Sequence, residues 1–136
     1  MKLIVCLDDK NGMAFYGRRQ SADCILCHNM LELIGSNTLY MNDYSGKLFH
    51  EDTKNIFVDD HFMDIADQGD YCFAEVTDVT PYIGFAEEII IYRWNRVYPS
   101  DLYFPIELLA NYSKHKETFE FVGNSHDRIT REVYYR

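Results

Sequence analysis

The stretch from Phe85 to Pro105, FAEEIIIYRWNRVYPSDLYFP, constrains what this chain can fold into more than any other. Glu87–Glu88 form a charged step, and Ile89–Ile90–Ile91 follow, a β-branched run suited to a strand buried on both faces. Tyr92, Arg93 and Trp94 continue it, the Tyr98–Pro99–Ser100–Asp101 turn stops it, and the pair Phe104–Pro105 closes the segment. Such a strand belongs in the interior of a layered α/β sheet.

The remaining sequence supplies the neighbours. Lys2 to Leu7 is a second continuous apolar run, ended by Asp8–Asp9–Lys10–Asn11–Gly12 with its Asn-Gly turn. Met13 to Gln20 reads as an irregular loop carrying Arg18–Arg19. Ser21 then serves as an N-cap with Asp23 in the first turn, where the helix dipole favours a carboxylate. Ile25, Leu26, Met30, Leu33 and Ile34 recur at helical spacing, and Gly35 suits the C-terminal cap.

Further strands are expected at Thr38–Met41, Asn55–Val58 and Tyr71–Val76, with a loop or short helix at Asn42–Phe49. A short helix capped by Asp59–Asp60 is expected to run to about Asp67 and end at Gly69. Thr80–Pro81 opens a brief helix, since Pro is tolerated at the first helical position. Ile106–Tyr112 reads as helical or irregular, and Lys114–His115–Lys116 as exposed. Glu117–Val122 and Ile129–Tyr135 form a C-terminal hairpin about Gly123–Asn124–Ser125. Together these give a mostly parallel α/β sheet with an antiparallel edge.

At 136 residues the chain is one domain, 1–136, without repeat, linker or low-complexity segment. A net charge of −9 argues against a nucleic-acid binder, which needs clustered Lys and Arg. It fits either a solubilising surface or an acidic face made for a basic partner protein. No apolar run is long enough for a signal-peptide core or a membrane span, so a cytoplasmic protein with reduced Cys6, Cys24, Cys27 and Cys72 is expected.

Cys24–Ile25–Leu26–Cys27–His28 matches the C-x-x-C-H haem attachment pattern, yet covalent haem needs an oxidising, exported setting. Packing of both thiols on one helix face is the favoured reading, with a redox or metal pair as the alternative. A zinc site would need two further ligands at metal-binding spacing, so no metal is expected. His50–Glu51–Asp52 and Asp59–Asp60–His61 read as surface loops despite their metal-capable groups. Neither a G-x-S-x-G elbow nor a phosphate-binding G-x-x-x-x-G-K-[ST] loop occurs.

The order of elements resembles that of dihydrofolate reductase over nearly the whole chain. The resemblance rests on the opening LIVCLDDKNGM, the helix after a basic loop, the stretch TLYMNDYSGKLF, the segment EEIIIYRWNRVYPSDLYFP and the terminal YYR. It implies a three-layer dihydrofolate reductase-like fold with a mostly parallel central sheet and an antiparallel C-terminal hairpin.

The resemblance also implies a reduced nicotinamide dinucleotide phosphate held by close backbone and basic side chains. The motif positions depart from that. Ala74–Glu75–Val76 stands for the family's Gly-Gly pair, Asn42–Asp43–Tyr44–Ser45 for its Gly-Arg-x-Thr, and Asp59–Asp60 where members place polar and basic residues. A like-charge approach at ~4 Å costs on the order of 4 kcal/mol at an effective dielectric of about 20. Asp23 is the acidic residue where the family anchors its substrate, and Tyr92 replaces the small hydroxyl residue supporting it. Arg18 and Arg19 can greet an anionic ligand over the first helix, or be solvated.

The expected function is accordingly a non-catalytic dihydrofolate reductase-like protein without cofactor. It would act as an acidic binding or inhibitory module for a basic protein surface, with Tyr98, Tyr103, Asp59 and Asp60 as interaction residues. The alternative is a divergent oxidoreductase with an altered nucleotide cofactor, such as a flavin or unphosphorylated dinucleotide, and Asp23 as ligand-anchoring carboxylate. A third reading is a small-molecule or nucleotide-binding module without chemistry.

Overall fold

The computed structural model describes residues 1–49, 54–114 and 118–136. In its first half lie strands β1 (Lys2–Leu7), β2 (Gly12–Phe15), β3 (Arg18–Arg19), β4 (Leu39–Met41) and β5 (Ile56–Val58). In the second lie β6 (Tyr71–Phe73), β7 (Glu88–Arg93), β8 (Leu102–Tyr103), β9 (Ser113–Lys114), β10 (Phe119–Phe121) and β11 (Ile129–Tyr135). The α-helices are α1 (Cys24–Ile34), α2 (Asp43–Gly46) and α3 (Phe62–Ile65), and 3-10 turns span Thr80–Phe85 and Ile106–Asn111.

The large sheet runs β10-β11-β7-β1-β6-β4-β5, with β9 also paired to β11. β1 pairs in parallel with β7 over its whole length, from Lys2 opposite Glu88 to Leu7 opposite Arg93, and with β6 on its other side. β11 then adds antiparallel to β7, and β10 antiparallel to β11.

Burial on both faces follows from the alternation of side chains along each strand. Leu3, Val5, Leu7, Ile89 and Ile91 pack with Phe62, Val79, Ile83, Phe104 and Leu109 on one face. Ile4, Ile90 and Tyr92 pack with Leu26, Met30 and Ile34 of α1 on the other. Each such aliphatic side chain contributes about 1.5–3 kcal/mol by leaving water. β7 ends where Asn95 turns the chain at φ +60°.

Several expectations need correction. The 13–20 loop is not irregular: β2 and β3 form a hairpin, and β8 completes a separate three-stranded sheet. Cross-strand pairing satisfies backbone groups that a loop would leave to water, and the apolar Met13 and Ala14 are buried there. β6 stops at Phe73 rather than Val76. α3 is one turn, and Asp59 does not cap it; its carboxylate accepts from the backbone N–H of His61, a local turn. His50–Glu51–Asp52, His115–Lys116 and Glu117 lie outside the described residues.

Candidate functional site

In open α/β sheets, ligands sit beyond the carboxyl ends of the parallel strands. Here that edge gathers the segment after β1 (8–12), α2 after β4, Ala74–Glu75 after β6 and the loop after β7, with the β2–β3 hairpin beside them. Three hydrogen-bonded knots occupy it.

The first is built on Asp8, the residue that ends β1. Its side chain is buried, with Oδ1 accepting from Lys10 N (2.9 Å) and Gly12 N (2.8 Å) and Oδ2 from Tyr98 N (3.0 Å). Burial alone would raise its pKa; the backbone donors of Tyr98, Gly12 and Lys10 outweigh it and hold it below the ordinary value. This draws the 98–105 segment back over the first strand, where Phe104 N donates to Asn11 O (2.9 Å). Gly12 lets the two segments cross closely, since a Cβ there would lie 1.9 Å from Ser100 Oγ and would displace that side chain.

The second knot joins Arg19, Glu75, Ser45 and Tyr44. Arg19 grips Glu75 through Nε (2.8 Å) and Nη2 (2.9 Å), the parallel two-point geometry that favours this pair. Ser45 Oγ donates to Glu75 Oε1 (2.8 Å). Arg19 Nη2 also donates to Tyr44 O (3.2 Å), its backbone N–H donates to Tyr44 Oη (3.0 Å), and its guanidinium lies 4.2 Å over the Tyr44 ring. Desolvation pulls the Arg19 pKa down, but the bonds to and charge of Glu75 raise it overall. Glu75 is 7% exposed. Arg19 is thus committed to an internal carboxylate rather than awaiting an anion, whereas Arg18 is exposed.

The third knot is centred on Asp23. It is the N-cap of α1, not a first-turn residue as the Ser21 cap would require. Oδ1 accepts from Ile25 N (3.0 Å) and Asn124 N (3.1 Å), and Oδ2 from Ser125 N (3.0 Å). His126 Nδ1 also lies 3.0 Å from Oδ2, and because a carboxylate only accepts, that nitrogen carries the proton. Burial would raise the Asp23 pKa, but Ser125, His126 and Asn124 as donors bring it down to about 2. Both oxygens are therefore taken by the chain's own donors. His126 stacks on Trp94 at 4.6 Å between ring centres and offers Nε2 to Tyr98 Oη (2.9 Å) and Ser21 Oγ (3.1 Å).

Tyr92 lies fully buried under α1. Its hydroxyl donates to Asn29 Oδ1 (2.6 Å), which also accepts from Arg131 Nη1 (2.8 Å). Burial drives its pKa well up despite the nearby Arg131 charge. Beside Asp23 there remains a hollow of about 260 Å³, bounded by Ala22, Cys24, Cys27, Leu48 and Asn124. The two cysteines do not share an environment as expected on one face: Cys24 is exposed, while Cys27 is buried and its thiol is pushed up to about 12 by burial and then by Glu75.

The predicted interaction residues divide. Tyr98 is half-buried and points its hydroxyl inward to His126, so it is no part of an exposed aromatic patch. Tyr103 is 52% exposed on the small sheet, and Asp59 and Asp60 are exposed beyond the far-edge strand β5. His126 was not foreseen; a lone His after a Gly-Asn-Ser turn carries no signal of burial. Glu75 was read as an added charge, with nothing local to name Arg19 as its partner. Among the described residues no group of three His, Cys, Asp or Glu is arranged to hold a metal, and no helix is long and apolar enough to cross a membrane.

No family model matches the sequence, and no curated protein matches it. Among solved structures, the dihydrofolate reductase of Enterococcus faecalis, complexed with NADP(H) and RAB-propyl, superposes with a TM-score of 0.69 at 12% identity. The match covers 99% of this chain and 95% of that one. The layered sheet, the antiparallel C-terminal hairpin and this correspondence along the whole chain agree: the protein has the dihydrofolate reductase fold.

Proposed function

We propose that this is a non-catalytic protein of dihydrofolate reductase fold that works as an acidic interaction module for a basic protein, in the cytoplasm. One observation carries the reading: at the edge where such a fold would receive a ligand, Arg19 and Ser45 are both bonded to the chain's own Glu75. Glu75 stands where the resemblance calls for glycine, and it engages the cation that an anionic ligand would need. Asp23, the residue an oxidoreductase reading relies on, has one oxygen taken by the helix cap and the other by Ser125 and His126. Tyr92, where the resemblance calls for a small hydroxyl residue that supports the carboxylate, is instead buried under α1 and donates to Asn29, which supports the same reading.

Trp94 is the only tryptophan and stacks on His126 beside Asp23, so its fluorescence reports on this site. Titration with reduced nicotinamide dinucleotides, phosphorylated or not, and with flavin is expected to give no saturable change. Saturable binding at micromolar concentration that a folate analogue displaces would establish the oxidoreductase alternative instead.

A further inference from the structure

The geometry points to a groove between α3 and the 3-10 turn Thr80–Phe85 as the seat for a Lys or Arg side chain of a basic protein segment. This deepens the interaction-module reading and rests on it.

The groove encloses about 330 Å³. It has a mixed lining: Met1, Met63, Tyr82 and Phe85 supply apolar surface, and Asp64, Asp67 and Gln68 supply polar surface. Phe85 is 76% exposed, a large aromatic surface left in water beside a concavity. Asp64 lies close enough to Tyr82 to raise the tyrosine's pKa. Among the described residues no cation pairs with Asp64 or Asp67.

Charge identifies the occupant. Residues 55–92 hold nine carboxylates and no Lys or Arg, whereas the other 98 residues hold thirteen of each, so this one segment carries the whole net charge of −9. Five of the nine, Asp59, Asp60, Asp64, Asp67 and Asp70, lie on β5's end, α3 and the turn after it. Glu87 is fastened to that turn by the Gly69 N–H at 2.9 Å. A Lys or Arg combines the two properties this mixed lining asks for: an apolar stem to lie on Met63 and Phe85, and a cationic head for the Asp64 and Asp67 carboxylates and the aromatic faces. An acidic or neutral apolar segment would meet uncompensated charge.

The probe is a fluorescein-labelled octapeptide alternating Lys or Arg with Leu, followed by anisotropy at low salt. One-to-one saturable binding is expected. Asp64→Asn with Asp67→Asn should weaken it at least tenfold, and Phe85→Ala about fivefold. Glu107→Gln with Asp127→Asn removes the same charge from exposed positions elsewhere and should change it less than twofold. Circular dichroism confirms that each variant is folded. Equal weakening by both charge pairs, no effect of Phe85→Ala, tighter binding of an anionic membrane-type or acidic probe, or no peptide binding overturns the groove. Those results leave the module reading to the dinucleotide titration, whose positive outcome would remove that reading without bearing on the peptide.

Discussion

Asp23 does the work of several residues. It caps α1 and closes the 123–126 turn, so the first helix and the last hairpin meet on one carboxylate. Its folded pKa of about 2 lies below the ordinary 3.8, so the stability it contributes is fully present above pH 3.8 and is lost as pH falls through 2. The difference corresponds to about 2 kcal/mol. Urea unfolding measured at pH 5 and at pH 2 should show that loss, and Asp23→Asn should remove this part of the pH dependence while lowering stability at pH 7 by roughly 2–4 kcal/mol. Gly123 belongs to the same site: a Cβ there would come within 2.2 Å of Asp23 Oδ2, whose position is fixed. Gly123→Ala should therefore cost about 1–3 kcal/mol, read as a lower midpoint in the same titration.

Between elements, the Arg19–Glu75 pair fastens β3 of the small sheet to the end of β6, with Ser45 of α2 as third party. Glu75 is buried and Arg19's side chain is 22% exposed, so neither charge is well solvated if its partner goes. Glu75→Ala should cost on the order of 3 kcal/mol, and Arg19→Ala added to it should cost much less than it does alone. Denaturant unfolding of the four proteins gives the coupling. β7 is held differently, by packing: Ile90→Ala at a site 1% exposed should destabilise by about 2–5 kcal/mol, seen as a fall in thermal midpoint. Both β1 and β7 were legible because a strand buried on two faces writes an unbroken apolar run. The β2–β3–β8 sheet was not: its members are two to four residues long, and β8 lies far along the chain from β2. Such short segments leave no period to read.

Across the whole molecule, the concentration of carboxylates in residues 55–92 makes the charge lopsided rather than merely high. Repulsion between exposed Asp59, Asp60, Asp64 and Asp67 opposes the compact state and is screened by salt. The melting temperature should rise by a few degrees between ~10 mM and ~200 mM sodium chloride, by differential scanning calorimetry. Neutralising Asp64 and Asp67 to Asn should flatten that rise. A Tm that falls with salt would mean that attractive surface pairs dominate instead.

The sequence alone determined the order of the main elements of the large sheet, the two-faced strands from Phe85 onward and at the amino terminus, the amphipathic first helix and the terminal hairpin. Each is written in local periodicity and turn chemistry. Its charge balance was also there to be read, including the segment without a single Lys or Arg. What only the tertiary structure decided is where the isolated polar residues go. Asp23 finds His126 across 103 positions and Arg19 finds Glu75 across 56, and neither pair has a pattern of its own in the chain. Burial makes such pairs decisive, because a buried carboxylate must be matched by donors, and it is the fold that brings those donors to it.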